Sequence, residues 1–141
     1  MISKSPILKI FEKILYSIDD KLRRDFIEIH HLQLGQFLPQ NFCQKLLRLS
    51  ATRITEKIAY YYPNSGLILD DKEVIKTRDQ SVIIIYLFEG RHNLLRGFPF
   101  FANGLAMIRD FAQKSEKTVA SLIDAPLLQD RFYSDQENAF Y

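Results

Sequence analysis

The stretch Ser81-Val82-Ile83-Ile84-Ile85-Tyr86-Leu87-Phe88 decides how this chain reads. The β-branched run Val82 to Ile85 would lose side-chain freedom in a helix and suits a pleated strand. Polar residues do not alternate with apolar ones here, so both faces of the strand are expected to be buried, with helices on at least one. Val82–Phe88 is the longest strongly apolar run, and it falls far short of the roughly 20 residues that cross a bilayer. Glu89-Gly90 closes the strand.

Upstream, Leu67-Ile68-Leu69 and Glu73-Val74-Ile75-Lys76 flank Asp70-Asp71-Lys72, which predicts two short strands around a tight turn. With Ser81–Phe88 they form an expected antiparallel three-strand meander over about residues 67–88. Further back, Ser5-Pro6 starts a helix, because Ser caps free amides and Pro suits the first turn. Ile7, Phe11, Ile14, Ile18, Leu22, Phe26 and Ile29 then form one stripe, with a kink near Asp19 as the alternative. A turn is expected from Gly35 to Pro39. Phe42, Leu46, Ile54, Ile58 and Tyr61 mark a second helix, which Pro63-Asn64-Ser65-Gly66 ends.

Downstream, Pro99 opens a stretch whose apolar residues Phe101, Leu105, Ile108 and Ala112 have helical spacing. Gly104 inside such a helix costs about 1 kcal/mol relative to Ala and would mark a close helix contact. Lys117–Asp124 extends the helical character, and Leu127, Leu128 and Phe132 suggest a last short helix after Pro126. The sequence therefore predicts a helix-dominated α+β domain over residues 1–141, with the small meander between N-terminal and C-terminal helices. A mobile polar tail is expected from about residue 134.

Composition narrows the function classes. The chain has 141 residues, which is one domain by size. Its 19 Lys and Arg against 17 Asp and Glu exclude a polyelectrolyte such as a nucleic-acid packager. The lone Cys43 forms no intramolecular disulfide and leans towards a reducing compartment. Lys9, Glu12 and Lys13 interrupt any signal-peptide core. A soluble, cytoplasmic protein without membrane insertion is expected.

Charge is unevenly spread. Lys45, Arg48, Arg53 and Lys57 make the second helix basic, while Asp124, Asp130, Asp135 and Glu137 make the C-terminal part acidic. The basic helix could contact a nucleic-acid backbone, but it lacks the Arg density and interleaved aromatics of single-strand binders. Arg91, His92 and Arg96 follow the central strand, where ligand sites often lie, and could clamp a phosphate or carboxylate. No Gly-rich phosphate cradle accompanies them. His30 and His31 are adjacent and point about 100° apart on a helix, so they do not chelate one ion. Asp70, Glu73 and Lys76 would suit a metal-dependent nuclease, but the next strand carries no charge to complete the set. No catalytic residues, metal or cofactor are therefore expected.

Aromatic residues are clustered, with eleven Phe and seven Tyr but no Trp. Tyr60, Tyr61 and Tyr62 fan out around a helix, so at least one ring faces outward. Phe98, Phe100 and Phe101 crowd around Pro99. Exposed aromatic surface marks interfaces. The expected function is a non-enzymatic protein-interaction module: an adaptor, assembly factor or chaperone-like subunit that binds a protein partner and self-associates as a homodimer. Its alternatives are a small-molecule or anion-binding sensor, and a nucleic-acid binder using the basic helix.

Overall fold

The computed structural model describes residues 4–32, 40–136 and 138–141. Helix α1 (Pro6–Leu32) and helix α2 (Gln40–Tyr61) come first. Strands β1 (Gly66–Leu69), β2 (Lys72–Ile75) and β3 (Val82–Glu89) follow, then the one-turn helix α3 (Arg91–Leu95). Strands β4 (Ala102–Arg109), β5 (Lys117–Ala125), β6 (Asp130–Asp135) and β7 (Ala139–Phe140) complete the chain. The expected turn from Gly35 to Pro39 lies outside the described residues, as do the side chains of His30 and His31.

The helical stripes fold as their spacing dictates. Leu8, Phe11, Ile14, Leu15, Ile18 and Leu22 of α1 are buried, as are Leu46, Ile54 and Ile58 of α2. Ser5 Oγ accepts from the Leu8 N–H, capping α1 where Pro6 enters its first turn. Helix α1 runs on past Asp19 as one element. Ser17 donates back to the Ile14 carbonyl at 2.6 Å instead of capping a second helix.

The sheet departs from the expected fold class. It has seven strands in the order β2-β1-β3-β4-β5-β6-β7. The first three strands are not an antiparallel meander, because β1 pairs parallel to β3 in the register Gly66↔Val82 to Leu69↔Ile85. The β1–β2 hairpin folds outward to the sheet edge, which leaves the other side of β1 free for β3. Residues 76–81 carry the chain back, held by Arg78 N–H to Asn64 O and Gly66 N–H to Ser81 O, each 2.9 Å.

The C-terminal half is strand, not helix. In β4 the buried residues are Asn103, Leu105 and Met107, and Phe101 just before it is buried too, a period of two. Phe101 and Leu105 also fit a four-residue spacing, which is what the helical reading used. The small residues Ala102, Gly104 and Ala106 on the opposite face removed the polar contrast that normally marks a strand. Gly104 sits in no helix contact, and a Cβ built there meets nothing within 4 Å. Lys117–Ala125 is β5, Leu127 and Leu128 lie in the turn after it, and Phe132 belongs to β6.

Helices α1 and α2 cover one face of the sheet. Leu67, Ile83, Ile85, Leu87, Leu105, Met107, Ala120, Leu122 and Tyr133 join the helix stripes in one core. The other face carries a lateral row, Tyr86, Gly104, Ile123 and Phe132, set by the cross-strand register. Ile123 and Phe132 are about half exposed. Ser134 and Asp135 belong to β6, and Ala139 and Phe140 pair with it as β7. Among the described residues no helix is long and apolar enough to cross a membrane.

Candidate functional site

The parallel pair β1 and β3 ends at one place, and a crevice of about 370 Å³ opens there. In α/β sheets, ligands bind outside the carboxyl ends of parallel strands, where loops diverge. Asp70, Asp71, Tyr86, Phe88, Glu89, Gly90, Arg91 and His92 line this crevice.

Local sequence builds both walls. Asp70 (φ 48°) and Asp71 (φ 68°) are both left-handed, which gives the two-residue turn between β1 and β2 its hand. Asp tolerates that region because its short side chain bonds nearby backbone. The other wall bends at a bulge between Tyr86 and Glu89. Gly90 (φ 94°) then turns the chain into α3, and a Cβ there would stand 2.8 Å from the Phe100 carbonyl oxygen. Asn93 Nδ2 donates to that same oxygen at 2.7 Å and braces the connection.

Asp70 and Asp71 are already engaged. Asp70 Oδ1 accepts from the Leu87 N–H at 3.1 Å, and Asp70 Oδ2 accepts from Arg91 Nη2 at 3.0 Å. Arg91 Nη2 also donates to the Leu87 carbonyl at 3.1 Å. Tyr86 Oη donates to Asp71 Oδ1 at 2.6 Å. That bond, with the charge of Asp71, holds the phenol proton more tightly and pushes the Tyr86 pKa up. The Glu89 side chain lines the crevice with no hydrogen bond or ion pair among the described residues. Carboxylates near a phosphate commonly share a divalent cation. The residues here do not fit one: among those described, no three His, Cys, Asp or Glu side chains converge on a point.

Of the expected anion-binding residues, Arg91 and His92 line the crevice and Arg96 does not. Sequence reasoning missed Tyr86 and Glu89, took Asp71 for a turn residue, and weighed Asp70 as a turn residue and as part of a nuclease set with Glu73 and Lys76. Glu73 lies on the exposed strand β2, outside the crevice. The aromatic candidates divide. Tyr60 is 77% exposed and meets Tyr61 edge-on, whereas Tyr62 packs edge-on against Phe11. Phe98 and Phe100 are exposed, while Phe101 is a core residue stacked edge-on to Phe88. Lys45, Arg48 and Arg53 lie on the exposed side of α2, and Lys57 is half-buried. Arg53 also lines a groove of about 260 Å³ between α1 and α2 with Lys21, Leu49 and Glu56. Cys43 is half-buried against the core, and burial pushes its thiol pKa up, so it is not an activated nucleophile.

Comparison with solved structures settles the fold. The extragenic suppressor protein suhB from Bartonella henselae matches 96% of this chain with a TM-score of 0.77 at 22% identity. Inositol monophosphatase-II from Staphylococcus aureus also matches 96%, with a TM-score of 0.77 at 14% identity. The fold is that of inositol monophosphatases. No family model matches the sequence. Two curated relatives are inositol-1-monophosphatases. That of Rhizobium meliloti (strain 1021) is 27% identical over 108 residues, and that of Mesorhizobium japonicum is 22% identical over 135 residues. These cover 76% and 95% of this chain but only 41% and 49% of the relatives. The chain thus spans less than half the length of the curated relatives it matches. Both are named for an enzyme, which overturns the expectation of a non-enzymatic adaptor or protein-binding module.

Proposed function

We propose that this chain serves an enzyme acting on phosphate monoesters of polyols, with the crevice at the ends of β1 and β3 receiving the substrate. The fold and the names of the relatives support the class of reaction. The observation that carries the reading is the pairing of a braced cation with a free carboxylate. Arg91 is held at the crevice by Asp70 and the Leu87 carbonyl through Nη2 alone, which leaves Nε and Nη1 to meet phosphate oxygens. Glu89, the crevice carboxylate without a partner, accepts the proton of an attacking water. The water oxygen bonds to phosphorus, the ester P–O bond breaks, and the leaving polyol oxygen takes a proton from solvent. A reducing cytoplasm as the compartment fits the lone Cys43.

Phosphate release from inositol 1-phosphate, with calorimetry of its binding, tests the proposal. Removing the guanidinium in Arg91→Ala should weaken binding about tenfold or more, the scale of a charge-assisted bidentate contact. Glu89→Gln should bind more tightly, because one like charge facing the phosphate is gone, yet turn over at least about tenfold more slowly. No binding at millimolar substrate, or release unaffected by both variants, refutes it.

A further inference from the structure

Helix α1 meets the β5–β6 hairpin through two carboxylates that do not line the crevice. Asp19 on α1 is 1% exposed and Asp124 on β5 is 0% exposed. Asp124 Oδ1 accepts from Arg131 Nε at 3.0 Å. Arg131 Nη2 stands 4.0 Å from Asp19 Oδ2, beyond hydrogen-bond reach. Both Asp19 oxygens and Asp124 Oδ2 are buried and find no protein donor.

The surrounding charges do not resolve this. On α1, Arg23 acts on Asp19 from a distance, but its Nε donates to the Pro126 carbonyl at 3.0 Å. On β6, the Arg131 guanidinium lies 4.2 Å over the Tyr16 ring and serves Asp124 first. Tyr133 on β6 and Tyr16 on α1 are neutral phenols with their pKa values pushed up, chiefly by burial. Glu12 of α1 pairs with Lys4, which also donates to Tyr133. One guanidinium therefore faces two buried carboxylates, and a buried charge without a partner is strongly disfavoured.

We propose that Asp19 and Asp124 hold one proton between them, and that this shared proton latches helix α1 onto the β5–β6 hairpin. The O–H of a protonated Asp19 supplies the donor that Asp124 lacks. The single remaining charge is then matched by Arg131. Burial, the hydrogen bond to Asp124 and its charge push Asp19 from its ordinary 3.8 up to about 8. Between those values the folded chain keeps a proton that the unfolded chain has released. Stability therefore falls as pH rises through the window and levels off above it.

Thermal midpoints of the wild type and Asp19→Asn, followed from about pH 5 to about pH 9, test the latch. The asparagine amide keeps the size and the donor but has no proton to lose. The wild-type midpoint should fall with pH relative to the variant, so that the gap moves steadily in the variant's favour. A gap that does not change with pH overturns the proposal. If the variant fails to fold, carboxyl carbon shifts of the wild type decide by NMR. One aspartate should titrate in the neutral range, and titration of every aspartate below about pH 5 overturns the proposal. Stabilisation of the wild type but not of Asp19→Asn by added Mg²⁺ or Ca²⁺ also overturns it, by placing a cation between the carboxylates.

Discussion

Gly90 turns the end of β3 into α3, and it does so at a φ of 94° with the Phe100 carbonyl 2.8 Å from where a Cβ would stand. Neither the backbone angle nor the space admits a side chain. Gly90→Ala should destabilise the chain by about 1–3 kcal/mol, and urea unfolding measures it. Arg91 and His92 beside it were singled out in the sequence, because basic residues after a buried strand suggest a ligand site, and both line the crevice. Asp70 read as a turn residue or as part of a nuclease set with Glu73, not as a partner of Arg91. It reaches Arg91 across 21 residues of sequence, and the parallel pairing of β1 with β3 brings the two together. Tyr86 reads as one more apolar strand residue, and its hydroxyl meets Asp71 only because the parallel pairing of β1 with β3 sets the β1–β2 turn beside it. Glu89 reads as a strand terminator, although the same strand-end rule that singled out Arg91 applies to it.

Among the elements, α1 and α2 were legible because long stripes at three-four spacing have few other readings. Strand β3 was legible from its β-branched run. Strand β4 was not, since Phe101 and Leu105 satisfy both periods and its outer face is small rather than polar. Gly104 separates the two readings by experiment. In a close helix contact a β-branched residue there would clash. In β4 it adds strand propensity, with open space around the new Cβ, between Tyr86 and Ile123 on the neighbouring strands. Gly104→Thr should raise stability by roughly 0.5–1 kcal/mol, read as a higher thermal midpoint. A lower midpoint contradicts the strand assignment.

Across the whole molecule, protection is set by depth in the sheet. Strands β3, β4 and β5 are paired on both sides and lie under the helices, whereas β2 and β7 are edges. Hydrogen exchange should be slowest in residues 83–87, 103–107 and 120–123, and fastest in β2 and β7. Equal rates across the sheet would show that it does not open as ordered here. The partners of α1 also lie at the far end of the chain. Lys4 donates to Tyr133 across 129 residues, and Arg23 to Pro126 across 103. A ribosome adds about 5–20 residues per second, so α1 waits on the order of 5–20 s for the strands it docks on. Its apolar stripe of Leu8, Phe11, Ile14, Leu15 and Leu22 stays uncovered by them for that interval. Helix α1 is thus made about a hundred residues ahead of the strands that cover it, and α2 is the partner that can shield its stripe before β5 emerges.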